Sequence, residues 1–151
     1  MTLLAEIQAK CTPQQIAARG EPGGLDAIVA IVNAGRTAVR PRMTSARGLA
    51  EFFPGGPVGA EVVLMKLEGA AATMKASADQ QQKVLGSLIS RQLGFLAGEG
   101  LDFGSTALRA MLDQFVALGI LTADEVAGLK GIAVVAAPVS AAECSVAMEG
   151  L

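Results

Sequence analysis

The chain of 151 residues contains no histidine, no tryptophan and no tyrosine, and only two cysteines. These absences remove most of the side chains that carry acid–base, nucleophilic and metal chemistry. Without an imidazole, no serine or cysteine can be activated in the usual way, and two thiols cannot complete a four-ligand zinc site. The expectation is a protein that is not an enzyme, with no cofactor and no small-molecule substrate. Charge is also scarce. Charged residues make up 17%, below the usual quarter, and aromatics 3%, while 52% of residues are apolar and mostly aliphatic. One small core does not need that much apolar material, so some is expected on the surface, where large apolar patches mark association. Self-association or stable docking on a partner follows.

Long apolar runs are missing as well. Ala27–Val32 and Ile132–Ala137 fall far short of the ~20 residues that span a bilayer. Glu6 and Lys10 interrupt the N-terminus before a signal-peptide core could form. A soluble protein made in a cytoplasm is expected, with no membrane partner. Net charge is −2, so no basic field favours nucleic acid. Cys11 and Cys144 lie near opposite ends. A disulfide between them is geometrically open, but a reducing cytoplasm disfavours it, and two small buried apolar residues are the simpler expectation.

Length predicts a single domain over residues 1–151. The pattern along it predicts an all-α chain, a compact bundle of six to eight short and medium helices. Thr2–Lys10 reads as a short helix. Thr12-Pro13-Gln14-Gln15 is a capping box with proline at the first helical position, and Gly20 supplies the stop. Leu25–Ala34 is nearly apolar all round and is predicted helical and buried, with a strand as the competing assignment. Arg36–Met43 should be irregular or extended because Pro41 disfavours helix at Arg40. Thr44 or Ser45 can cap a helix through Phe53, which Pro54-Gly55-Gly56-Pro57 breaks. Val58–Lys75 is helical, with Val62, Met65, Gly69 and Ala72 on one face whose small residues permit close helix approach. Ser77-Ala78-Asp79-Gln80 reads as a capping box for a helix from Ala78 to Ala97, with Val84, Leu85, Leu88, Leu93 and Leu96 at inward spacing.

The C-terminal third predicts a capped αα-hairpin. Ser105 caps Thr106–Leu118, where Leu108, Met111, Leu112 and Phe115 share a face, and Gly119 ends it. Thr122 and Glu125 form a capping box flanked by the staple pair Leu121 and Val126, opening a helix to Ala133. Ser140 and Glu143 repeat the box, with Val139 and Cys144 as staple, for a last helix over Ala141–Met148.

Motifs that carry chemistry fit poorly. Gly55-Gly56-Pro57-Val58-Gly59 lacks the Gly-Lys-Ser/Thr ending of a phosphate loop. Lys83, Ser87 and Ser90 have helical spacing but read as a solvated face. The carboxylates Glu99 with Asp102 and Asp124 with Glu125 sit in turns or first helical turns, where they favour the helix dipole. The hairpin is no DNA reader, because its second helix opens with Asp124 and Glu125 and carries only Lys130 as a base. One cluster does stand out. Arg36, Arg40, Arg42 and Arg47 lie in Ala27–Ala50, which has no acidic residue. Guanidinium forks suit carboxylate or phosphate partners at interfaces. The alternative is a solvated loop paired with acids of the same chain.

The run Gly100-Leu101-Asp102-Phe103-Gly104-Ser105, then Leu108-Arg109 and Leu112-Asp113, leads into Gly119-Ile120-Leu121-Thr122-Ala123-Asp124-Glu125, followed by Leu129-Lys130 and Pro138-Val139-Ser140. With Ala34-Gly35-Arg36-Thr37, it resembles small helical proteins encoded among the structural genes of tailed bacteriophages. The resemblance covers the C-terminal third and a few positions before Arg40. It implies a virion component, synthesised in the bacterial host cytoplasm, whose partners are its own copies and other virion proteins. The tail, at its tip or fibre-bearing region, is favoured over the neck or capsid. A chaperone or regulatory binding protein that never enters the virion is the alternative from another class.

Overall fold

The computed structural model describes Met1–Leu151 and is mostly helical, with nine α-helices and 66% of residues helical. In chain order the elements are α1 (Leu3–Lys10), α2 (Pro13–Ala17), α3 (Gly24–Asn33), β1 (Thr37–Val39), β2 (Met43–Thr44), α4 (Ala46–Phe52), α5 (Gly56–Lys75), α6 (Gln80–Ala97), β3 (Leu101–Asp102), α7 (Thr106–Ala117), α8 (Ala123–Gly131), β4 (Val134–Ala136) and α9 (Ala141–Ala147). A 3-10 turn over Ala18–Gly20 follows α2. The strands make two small sheets, β1 with β4, and β2 antiparallel to β3 in the register Met43 opposite Asp102 and Thr44 opposite Leu101. Strand β1 falls in Arg36–Met43, the stretch expected to be irregular or extended, and β2 runs from its last residue into Thr44. No helix is long and apolar enough to cross a membrane.

The chain divides into two compact units. One joins Met1–Ala38 to Val135–Leu151, and the other is Val39–Val134. Each has its own apolar cluster, which is the physical reason for the division.

In the discontinuous unit, Ile7, Cys11, Ile28 and Val32 from the N-terminal segment bury with Val139, Cys144 and Met148 from the C-terminal one. The Thr12–Gln15 capping box forms as expected, with Pro13 in the first turn. Gly24 admits no side chain, because an added Cβ would lie 1.9 Å from the carbonyl oxygen of Ala18. That contact lets α3 start directly against the 3-10 turn. α3 is helical, not a strand, and buries Ile28 and Val32 one turn apart. At its end, the Asn33 side chain donates to the carbonyl of Val139 (2.9 Å) and accepts from its N–H (2.8 Å). This pair of hydrogen bonds fixes the C-terminal segment just before the Ser140–Glu143 box that opens α9.

The continuous unit is built on the α5–α6 hairpin. α5 buries Ala60, Val63, Leu67 and Ala71. This is the opposite face from Val62, Met65, Gly69 and Ala72, all of which are exposed. Close approach occurs instead at Gly86 of α6, where a Cβ would lie 2.8 Å from atoms of Ala71, Met74 and Lys75. Gly86, Ile89 and Leu96 are buried on α6, while Val84 and Leu88 point outward against expectation. The Gly86 contact rotates the helix away from the stripe its leucines alone imply.

Caps also differ in detail. Ser45, not Thr44, caps α4. α6 starts from Asp79, whose carboxylate accepts from the amides of Gln81 and Gln82, while Ser77 only accepts from the amide of Asp79. A carboxylate is the stronger partner for the positive end of a helix, so it displaces the expected serine box. Ser105 sits at the N-cap of α7 but makes no capping bond. Leu108, Leu112 and Phe115 are buried on α7, and Leu121 and Val126 on either side of the start of α8, as patterned. α8 ends at Gly131, short of Ala133, because the β-branched Val134 and Val135 go into strand β4.

Two substitutions separate a working cap from a positional one. Thr122→Ala removes the acceptor of the Glu125 amide and should cost about 1 kcal/mol in urea unfolding. Ser105→Ala should cost less than about 0.5 kcal/mol, since no capping bond is lost.

Candidate docking surface

The four arginines have different fates. Arg36 belongs to the discontinuous unit. Its Nε lies 3.3 Å from the Glu6 carboxylate, and its Nη1 donates to the carbonyl of Ala137 (3.2 Å). Glu6 also pairs with Lys10 at 3.0 Å, and Lys10 donates to the carbonyl of Val32 at the end of α3. Arg36 is therefore occupied within its own unit, tying α1 to the segment after β4.

The other three lie in the continuous unit. Arg42 donates from Nη1 to the carbonyl of Ile132 (2.9 Å) and stacks 4.2 Å from the centroid of the Phe52 ring. Arg40 and Arg47 are exposed and make no ion pair or side-chain hydrogen bond. Arg36 and Arg42 serve the fold, the first against an acid of its own chain and the second against a carbonyl. Arg40 and Arg47 remain free for a partner. The same stretch exposes Val39 and Met43, and Phe52 just beyond it is exposed as well. Arginine, methionine and phenylalanine are the residue types that enrich protein interfaces.

The backbone beneath these arginines is held by Gly100–Ser105. Asp102 Oδ1 accepts from the amides of Arg42 (2.7 Å) and Gly104 (2.9 Å). The Phe103 amide donates to the carbonyl of Arg42 (3.2 Å), and the Phe103 ring is buried. Gly100 has φ +97°, which favours glycine. A Cβ at Gly104 would lie 2.2 Å from the Arg40 carbonyl oxygen, so only glycine lets the strands meet. Asp102 is therefore a backbone anchor and not a helix-dipole carboxylate. Sequence reasoning missed it, as it missed Gly104 and Phe52. The one available signal was Asp two residues before Gly, a side-chain turn pattern.

Elsewhere the polar groups serve the fold. Lys83 and Ser87 are exposed on α6 and Ser90 is half-buried. Lys66 pairs with Glu125 at 2.6 Å, and that hydrogen bond, with the Thr122 amide, holds the Glu125 carboxyl below its ordinary value. The hydrogen bond from Lys10 lowers Glu6, and the Ser140 amide lowers Glu143. Cys11 and Cys144 are free thiols in one apolar cluster, and burial pushes both up. No three His, Cys, Asp or Glu side chains gather into a metal cluster. The continuous unit also has a small, partly open apolar pocket of about 30 Å³, lined by Leu67, Ile89, Phe103 and Phe115 among others. That is room for about one water, which such a lining would not retain.

Comparison with family models, curated proteins and solved structures returns no match.

Arg42→Ala should lower stability by about 1–2 kcal/mol, since a carbonyl loses its charged donor and a ring its cation, whereas Arg47→Ala should change thermal unfolding by less than about 0.5 kcal/mol. The lowered carboxyls of Glu6, Glu125 and Glu143 also set a sign for acid. A carboxyl depressed in the folded state contributes stability above its ordinary value and loses it as pH falls through the depressed one. Stability should hold from neutrality down to about the ordinary glutamate value of 4.5 and fall beneath it. Glu125→Gln should blunt that fall in a pH series of urea midpoints.

Proposed function

We propose that this chain is a non-enzymatic structural component of a tailed-bacteriophage virion, placed in the tail at its tip or fibre-bearing region. It works by packing against copies of itself and docking on neighbouring virion proteins. The observation that carries the reading is the apolar surface of the longest hairpin. Val58, Val62 and Met65 on α5 and Val84, Leu88 and Phe95 on α6 are all exposed. Side chains of this size on the two longest helices match a building block whose outer faces are completed by other subunits. Arg40 and Arg47, free beside Val39 and Met43, supply a second surface suited to a partner with exposed carboxylates.

The residues behind the phage resemblance support this reading in kind. Gly100, Asp102, Phe103 and Gly104 hold the arginine segment in place, so the same run that carries the resemblance presents the docking surface. An assembly chaperone would use similar surfaces but leave before maturation. Mass spectrometry of purified particles separates the two. A structural component is recovered in a fixed ratio to other particle proteins, and its isolated form is oligomeric by light scattering. A strictly monomeric protein absent from particles overturns the proposal.

A further inference from the structure

We propose that two copies of this chain pair through the outward face of α5, antiparallel about a two-fold axis. This deepens the self-packing reading above and rests on it. The face consists of Val58, Val62, Met65, Gly69, Ala72 and Ala76, all exposed. Their spacing alternates four and three residues, which is the seam of a coiled coil. At 100° per residue the stripe lies directly opposite Ala60, Val63, Leu67 and Ala71, the face α5 buries in its own unit. α5 is thus apolar on two opposite sides, and its own chain covers one. The seam runs about 27 Å.

The order of sizes along the stripe selects the partner. Its N-terminal half carries Val58, Val62 and Met65, and its C-terminal half Gly69, Ala72 and Ala76. In an antiparallel pair with Val62 level with Ala72 of the second copy, Met65 faces Gly69 and Val58 faces Ala76. Every layer then joins a large residue to a small one, which is how facing positions fill without voids. A parallel pair would set large against large at one end and leave a gap at the other. The flanks agree. In the antiparallel register Glu61 of one copy lies beside Lys75 of the other, at both ends. At the centre Glu68 meets its own copy, and so does Lys66, whose charge is already paired with Glu125. The Glu68 pair offsets a few tenths of a kcal/mol of the gain.

Gly69 supplies independent support. Glycine inside a helix is unfavourable by about 1 kcal/mol relative to alanine. Nothing in this chain requires it there. Its φ is not positive, and an added Cβ meets no atom within 4 Å. A second backbone approaching at that point explains a glycine that the chain's own packing does not.

The test is sedimentation of the full chain. The unmodified protein is expected to be a dimer or a higher even oligomer. Gly69→Leu should abolish the α5 contact while leaving the unfolding temperature unchanged or higher, so loss of pairing cannot be ascribed to misfolding. Glu61→Lys should weaken the dimer about tenfold, because two symmetric pairs become repulsive, and adding Lys75→Glu in the same chain should restore it. An oligomer indifferent to Gly69→Leu overturns this seam and leaves self-packing to another face. Failure of the double charge reversal to restore pairing overturns the antiparallel register. A monomer at every soluble concentration overturns both the seam and the self-packing it rests on. A dimer missing from particles leaves the seam standing and overturns the virion assignment.

Discussion

A long helix that is apolar on two opposite sides can turn only one of them into its own core. That constraint governs the continuous unit. α5 turns Ala60, Val63, Leu67 and Ala71 inward, and the depth of contact is set by Gly86, whose missing side chain lets α6 approach Ala71 and Lys75. Once α6 is seated there, its own rotation is fixed. Ile89 and Leu96 go in, and Val84 and Leu88 go out. α7 and α8 then close over the same cluster with Leu112, Phe115, Val126 and Leu129. The exposed stripe on α5 is therefore not an irregularity of the surface. It is the second face of the helix on which the unit is built.

The arginine segment shows a related division of labour at shorter range. Its backbone is pinned by Asp102, Phe103 and Gly104, and Arg42 closes onto the carbonyl of Ile132. With the backbone fixed, Arg40 and Arg47 lose no bond in reaching for a partner. A rigid base with a few free guanidinium groups costs less ordering on binding than a mobile basic loop would.

Helix starts were legible because a cap is a local chemical statement. Thr12 with Gln15, Thr122 with Glu125, and Ser140 with Glu143 each form the box their spacing announces. The exception at Asp79 is also local, since a carboxylate outcompetes Ser77 two residues earlier. Helix faces were less legible. Both sides of α5 fit the helical period, so no pattern rule could choose between Val63 with Leu67 and Val62 with Met65. The choice is made by Gly86, nineteen or more residues away in sequence. The strand pairings were not legible for a related reason. Two or three residues hold no period, and β3 exists because Asp102 reaches Arg42 across 60 positions. The discontinuous unit depends on the N- and C-terminal segments meeting, a contact that no local pattern announces.

That division bears on the apolar excess that first pointed to association. A chain of 150 residues folded around one core buries about 70% of its unfolded surface, but a unit near 60 residues buries only about 60%. The discontinuous unit holds little more than a third of the chain. Two small cores absorb less apolar material than one large core. A random remainder would scatter. Here part of it, Val58, Val62 and Met65, lies on one side of α5 in a stripe ordered from large to small, flanked by charges of opposite sign at its two ends, with a glycine where no internal contact demands one. Surplus apolar surface arranged in that order is suited to meeting a second copy, as in the pairing proposed above.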